Sequence, residues 1–129
     1  MRFMFIVTSA HPSTPTPELM EAMHKLANRE IKAGRMLDSG GLMPLATGAR
    51  VRIVDGQLSV VDGPFVEAKE LIGGYAIFEL RDKEEAVASA VEFMQLHRQH
   101  MPDWEGTCEV RSFVTPGEMS CQMSAREAS

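Results

Sequence analysis

Cysteine is scarce in this 129-residue sequence: Cys108 and Cys121 are the two present, and neither belongs to a C-x-x-C pair. Without a secretion signal to carry the chain to an oxidising compartment, both read as free thiols rather than a bridge. No basic block is present either. The 13 Lys and Arg are outnumbered by 18 Asp and Glu, for a formal net charge of −5. A nucleic-acid partner would need clustered cations to displace counterions, so none is expected. No apolar run approaches the roughly 20 residues that span a bilayer, so no membrane partner is expected. The opening stretch through Val7 is too short for a signal h-region and no small-residue cleavage site follows it, which makes the cytoplasm the expected compartment. Ser9, Ser39 and Ser59 sit in no nucleophile-elbow pattern, and no glycine-rich loop resembles a phosphate cradle. No cofactor is expected.

What is present suits one soluble domain, with 44% apolar and 24% charged residues. The ten methionines fall largely on apolar-patterned segments, where a flexible thioether fills irregular gaps. Residues 2–8 are aromatic and β-branched and predict a first strand. A loop with three prolines follows. Thr16, then Pro17 at the first helical position, starts a helix whose apolar stripe is Leu19, Met23, Leu26, Ala27 and Ile31, stopped at Gly34. Residues 35–45 predict a strand interrupted by Gly40 and Gly41, where a bulge or a close approach of ligand or backbone is expected. Two alternating runs around Asp55-Gly56 predict a β-hairpin. Asp62-Gly63-Pro64 makes a second turn. A strand over 72–80 puts Tyr75, Ile77 and Glu79 on one face and Ala76, Phe78 and Leu80 on the other. Asp82 caps a second helix that closes at Met101, and residues 107–114 alternate as the last strand.

This order predicts an α+β chain of ferredoxin-like split βαβ type, with an antiparallel sheet, both helices on one face and an inserted hairpin. The domain spans 1–115, and the tail from 116 to 129 has no periodicity and is expected to be flexible or packed on a partner. The strands are apolar enough that the sheet's open face needs a cover, and a second copy is the economical one: a homodimer is expected.

Two groups of residues could carry chemistry. His24 lies at the border of the first helix's apolar stripe, and Asp38 on the next strand is expected to reach it across a cleft. A histidine oriented by a carboxylate is a general base at neutral pH; the competing reading is a core-edge histidine bonded to a backbone carbonyl. Glu67, Lys69 and Glu70 crowd titratable groups beside Gly73 and Gly74. With Asp62, the residues Glu67, Lys69, Gly73 and Gly74 form the expected substrate-binding set; the competing reading is a structural turn followed by a solvated ion-pair cluster. His97 and His100 lack a third ligand spaced to complete a metal site and are assigned favourable charge at a helix C-terminus.

Asp62-Gly63-Pro64-Phe65-Val66-Glu67-Ala68-Lys69-Glu70, followed by Leu71-Ile72-Gly73-Gly74-Tyr75, closely resembles the D-G-P-F signature of the YCII-related family. Ala33-Gly34 before Gly40-Gly41-Leu42-x-Pro44, the helix from Asp82 and the closing Glu109-Val110-Arg111 extend the resemblance to roughly residues 2–114. The Pro/Thr-rich loop at 12–17, the longer His97–Trp104 connection and the tail depart from the family pattern. The resemblance implies a dimeric α+β barrel with a cleft between sheet and helices, and a His and an Asp at the places of His24 and Asp38. Superfamily relatives resemble lactone dehalogenases or isomerases, and D-G-P-F members often occur beside or fused to sigma factors. Three readings follow: a small enzyme using His/Asp acid–base chemistry of lyase, isomerase or dehalogenase type on a small anionic or lactone-like substrate; a small-ligand-binding regulatory module associated with a sigma factor; and a plain dimerisation domain.

Overall fold

The computed structural model describes residues 1–10, 13–62, 71–114 and 116–118. The chain runs β1 (Arg2–Ser9), α1 (Pro17–Lys32), β2 (Met36–Gly41), a 3-10 turn (Leu45–Thr47), β3 (Ala49–Val54), β4 (Gln57–Asp62), β5 (Leu71–Glu79), α2 (Lys83–His100) and β6 (Gly106–Phe113). Four strands form one sheet in the order β2-β5-β1-β6, and every neighbouring pair is antiparallel. This is the ferredoxin-like α+β plan, and the inserted β3–β4 hairpin stands as a separate two-stranded sheet.

The local chemistry explains where the elements begin and end. Thr16 accepts from the Leu19 amide ahead of Pro17, and Asp82 accepts from the Glu85 amide at 2.9 Å, so both helices start on a side-chain cap. The first ends at Gly34, whose φ of +77° is the left-handed conformation that closes a helix. Asp55 and Gly56, with φ of 52° and 74°, make the two-residue turn whose twist matches an antiparallel hairpin.

Phe3, Phe5, Phe78, Leu80, Ala86 and Ala90 form the buried core between sheet and α2, with Met36, Ala76, Cys108 and Val110 at its edge. Phe5 and Phe78 stack with ring centroids 4.6 Å apart. Because side chains alternate along a strand, this leaves Met4, Ile6, Tyr75 and Ile77 on the opposite, open face, where they are half-buried.

Two details differ from the sequence pattern. Ile31 is exposed, and its neighbour Glu30 is the buried one at 4% exposure, one place round the helix from the apolar stripe. Glu30 is held by Arg35 and Arg29, so a charged residue occupies an inward position because cations meet it there. Strand β2 stops at Gly41 rather than continuing to residue 45, and its irregularity lies between Met36 and Asp38, not at the glycines.

Candidate functional site

The irregularity in β2 decides where Asp38 points. Met36 pairs with Phe78 on the core face. Strict alternation would return Asp38 to that face as well. The extra residue, Leu37, resets the register so that Asp38 pairs with Ile77 and lies on the open face. There the Tyr75 hydroxyl donates to Asp38 Oδ2 at 3.2 Å, while Asp38 Oδ1 accepts from the Ser39 amide at 2.9 Å. Both carboxylate oxygens are therefore engaged, and the site remains open to solvent. The adjacent carboxylate raises the Tyr75 phenol above its ordinary pKa of 10.0, by its hydrogen bond first and its charge second, and keeps the hydroxyl a donor.

Glycines make this pairing possible. A Cβ at Gly40 would stand 3.0 Å from Tyr75 Cε1, so the tyrosine ring lies over a position that only glycine leaves bare. A Cβ at Gly74 would come within 2.8 Å of the Gly40 carbonyl oxygen. The expected close approach at the glycine pairs is thus between the chain's own strands and one ring.

His24 is exposed on α1, the helix that packs beside α2 on the core side of the sheet, whereas Asp38 faces the other side. No hydrogen bond or ion pair joins the two among the described residues. Asp38 takes Tyr75 as its partner instead. Asp62 ends β4, exposed and paired with Ala49. Gly73 and Gly74 lie in β5, and Gly74 sits between Val7 and Gly41. Glu67, Lys69 and the rest of the turn that follows Asp62 lie outside the described residues. Tyr75, the one tyrosine in the chain, was readable as an open-face strand residue. Its partnership with Asp38 depends on the bulge, which the pattern of residues does not announce.

A second polar cluster lines a cleft of about 520 Å³ between the helices, where Arg29 Nη1 donates to Glu92 at 3.0 Å and Arg35 Nε donates to Glu30 at 2.9 Å. Its cations and carboxylates answer one another, and the Arg29 hydrogen bond lowers the Glu92 pKa. His97 is 6% exposed, bonded through Nδ1 to the Phe93 carbonyl and packed against Trp104 with centroids 4.4 Å apart. Burial lowers its pKa, so His97 is a neutral core residue and not the helix-end cation expected of it. Among the described residues, no three His, Cys, Asp or Glu side chains gather as a metal site requires.

A family model for the YCII-related domain matches residues 1–93, which includes β1 through the first part of α2 and, with them, His24, Asp38, Asp62, Gly73, Gly74 and Tyr75. The chain belongs to the YCII-related family. An uncharacterised protein of Rhizobium meliloti (strain 1021) is 27% identical over 115 residues, covering 88% of this chain and 89% of that protein. Strand β6, which lies outside the family match, completes the YCII-related sheet here by pairing with β1 along its whole length. No helix among the described residues is long and apolar enough to cross a membrane.

Proposed function

We propose that this YCII-related protein carries out acid–base chemistry on a small lactone-like substrate, with the Asp38 carboxylate handling the proton and Tyr75 orienting it. The hydrogen bond from Tyr75 to Asp38 carries this reading. A solvent-exposed carboxylate is mobile and weakly basic by itself. One fixed by a phenol on one oxygen and a backbone amide on the other presents its remaining lone pairs in a set direction, which is what a general base needs. The proton next to a lactone carbonyl is the natural target, since its removal leaves a charge that the carbonyl oxygen can take up. This assignment keeps the aspartate of the expected dyad and replaces its histidine partner by a tyrosine.

The test follows exchange of the protons adjacent to the carbonyl of a panel of small lactones in deuterated water by NMR. Wild type is expected to catalyse exchange, and Asp38→Asn to lose roughly 10²–10⁴-fold in rate. Tyr75→Phe is expected to lower kcat more than it raises KM, while His24→Ala leaves both unchanged. A rate that depends on His24 and not on Tyr75 sinks the assignment in favour of the histidine. A wild type inert toward the whole panel sinks the reaction class.

A further inference from the structure

Apart from the ion-paired cleft between the helices, the molecule has a cleft of about 340 Å³ at the connection from α2 to β6. Two stretches build it. Ser13 and Thr16 come from the Pro/Thr-rich loop before α1, and the rest of its described lining is the run from His100 to Glu105. Both stretches lie where the sequence departs from the YCII-related pattern, and residues 100–105 lie beyond the family match. The two departures thus meet in space at one cavity. Neither Asp38 nor Tyr75 lines it.

Backbone and one ring hold the cleft in shape. The Met101 amide donates to the His97 carbonyl at 2.7 Å, the Trp104 amide to the Met101 carbonyl at 2.9 Å, and the Ala10 amide to the Glu105 carbonyl at 3.0 Å. The Trp104 indole packs on His97 and over the bare Gly106 backbone, so its position is set before anything binds. The charges differ from those between the helices, where cations and carboxylates answer one another. Here Asp103 and Glu105 are exposed, and neither side chain has a hydrogen bond or ion pair among the described residues. No Lys or Arg is among the described lining residues. The helix ends point the same way. α2 brings its carbonyl pole to the cleft at His100 and Met101, which favours a cation. The amide pole of α1 arrives at Thr16, but the Thr16 hydroxyl accepts from the Leu19 amide and Pro17 has no N–H to offer an anion.

We propose that this cleft binds a small organic cation, a substituted ammonium with an apolar body, whose charge is met by the Trp104 ring and the Asp103 and Glu105 carboxylates. Two carboxylates alone would be ordinary surface. Beside a formed cavity with an immobilised indole, they become groups that recognise one sign of charge. An indole face attracts cations through its quadrupole, more strongly than the other aromatic side chains do. Met101 and Pro102 supply the apolar wall that suits a weakly hydrated ammonium better than a metal ion. The volume lies at the lower end of the roughly 300–1,000 Å³ of small-molecule pockets, which limits the ligand to a few carbons around its charge. This site stands whether or not the Asp38–Tyr75 pair is catalytic.

The experiment titrates the full chain with choline at about pH 8, where imidazoles are neutral and do not compete, with ionic strength held constant by sodium chloride. Trp104 is the one tryptophan, so its emission reads the cleft directly. Choline is expected to change that emission saturably, with half-saturation at roughly 1 mM or below. Its uncharged isostere, in which carbon replaces the ammonium nitrogen, is expected to bind roughly tenfold more weakly or worse. That comparison needs no variant, so it holds even where a substitution disturbs the fold. The double variant Asp103→Asn, Glu105→Gln is expected to weaken choline by roughly tenfold while keeping the wild-type circular dichroism, since both residues are exposed. Glu92→Gln removes a carboxylate from the ion-paired cleft and is expected to keep the wild-type affinity. Emission that responds to choline no more than to sodium chloride up to about 50 mM overturns the proposal. So does an isostere that binds as tightly as choline, a double variant with unchanged affinity, or an equal loss in Glu92→Gln.

Discussion

Gly106 stands at the start of β6 where a Cβ would run into the Trp104 ring and lie 2.5 Å from the Thr8 carbonyl oxygen. The ring therefore rests on bare backbone, with His97 packed against it. Neither obstacle can yield cheaply: the carbonyl belongs to β1, and the indole is fixed by the buried histidine. Gly106→Ala is expected to destabilise the fold by about 1–3 kcal/mol, the usual cost of overpacking a filled site. Trp104 is the one tryptophan, so its emission reports the site directly, and urea unfolding followed by that emission measures the loss. Unchanged emission together with unchanged stability would show that the ring does not depend on the glycine.

At the scale of the element, the turn from α1 into β2 is held by a charge placed where the helix would otherwise bury an apolar residue. Glu30 accepts from Arg35 across that turn, and the Arg35 amide donates to the Glu30 carbonyl at 3.0 Å, so side chain and backbone close the same connection. Removing the carboxylate leaves Arg35 without its partner, but its side chain is 40% exposed and can turn to water. Glu30→Ala is therefore expected to cost about 1–3 kcal/mol, less than a fully buried pair. A double-mutant cycle with Arg35→Met, measured by urea unfolding, checks it, and a coupling energy near zero would assign the loss to packing alone. The same connection shows what could be read from the sequence. Caps at Thr16 and Asp82, the Asp55-Gly56 turn and the alternation of Ala76, Phe78 and Leu80 are local signals, and each appears in the fold where the residues place it. Glu30 and Leu37 are different. Whether a helix turns a glutamate or an isoleucine inward depends on which cations lie across the turn, and a strand bulge has no residue signature of its own. The bulge was enough to carry Asp38 to the other face of the sheet and give it Tyr75 in place of His24.

For the whole molecule, these local environments add up to a stability that falls at both ends of the pH scale. His97 is buried, which holds its pKa below the ordinary 6.5. The unfolded chain then takes up this proton first as pH falls, so stability present above about 6.5 is lost on the way down to the folded-state pKa. Glu92, held below 4.5 by Arg29, adds a smaller loss at still lower pH, because that pair is half exposed. On the alkaline side the sign reverses. Burial of the Cys108 thiol pushes its pKa from 9.0 up to about 11, so the unfolded chain gives up this proton first and stability declines as pH rises through that interval. The Tyr75 phenol, raised by Asp38, contributes in the same direction above pH 10. Unfolding free energy from urea titrations is thus expected to be level between about pH 7 and 8.5 and to slope down on either side. His97→Gln should flatten the limb just below pH 6.5, and Cys108→Ser should remove the decline that sets in at pH 9 while leaving the part above pH 10 that needs Tyr75. Because the two substitutions act on opposite limbs, a variant that lowers stability uniformly at every pH would show that it disturbed packing alone and that the buried group does not titrate as its surroundings require.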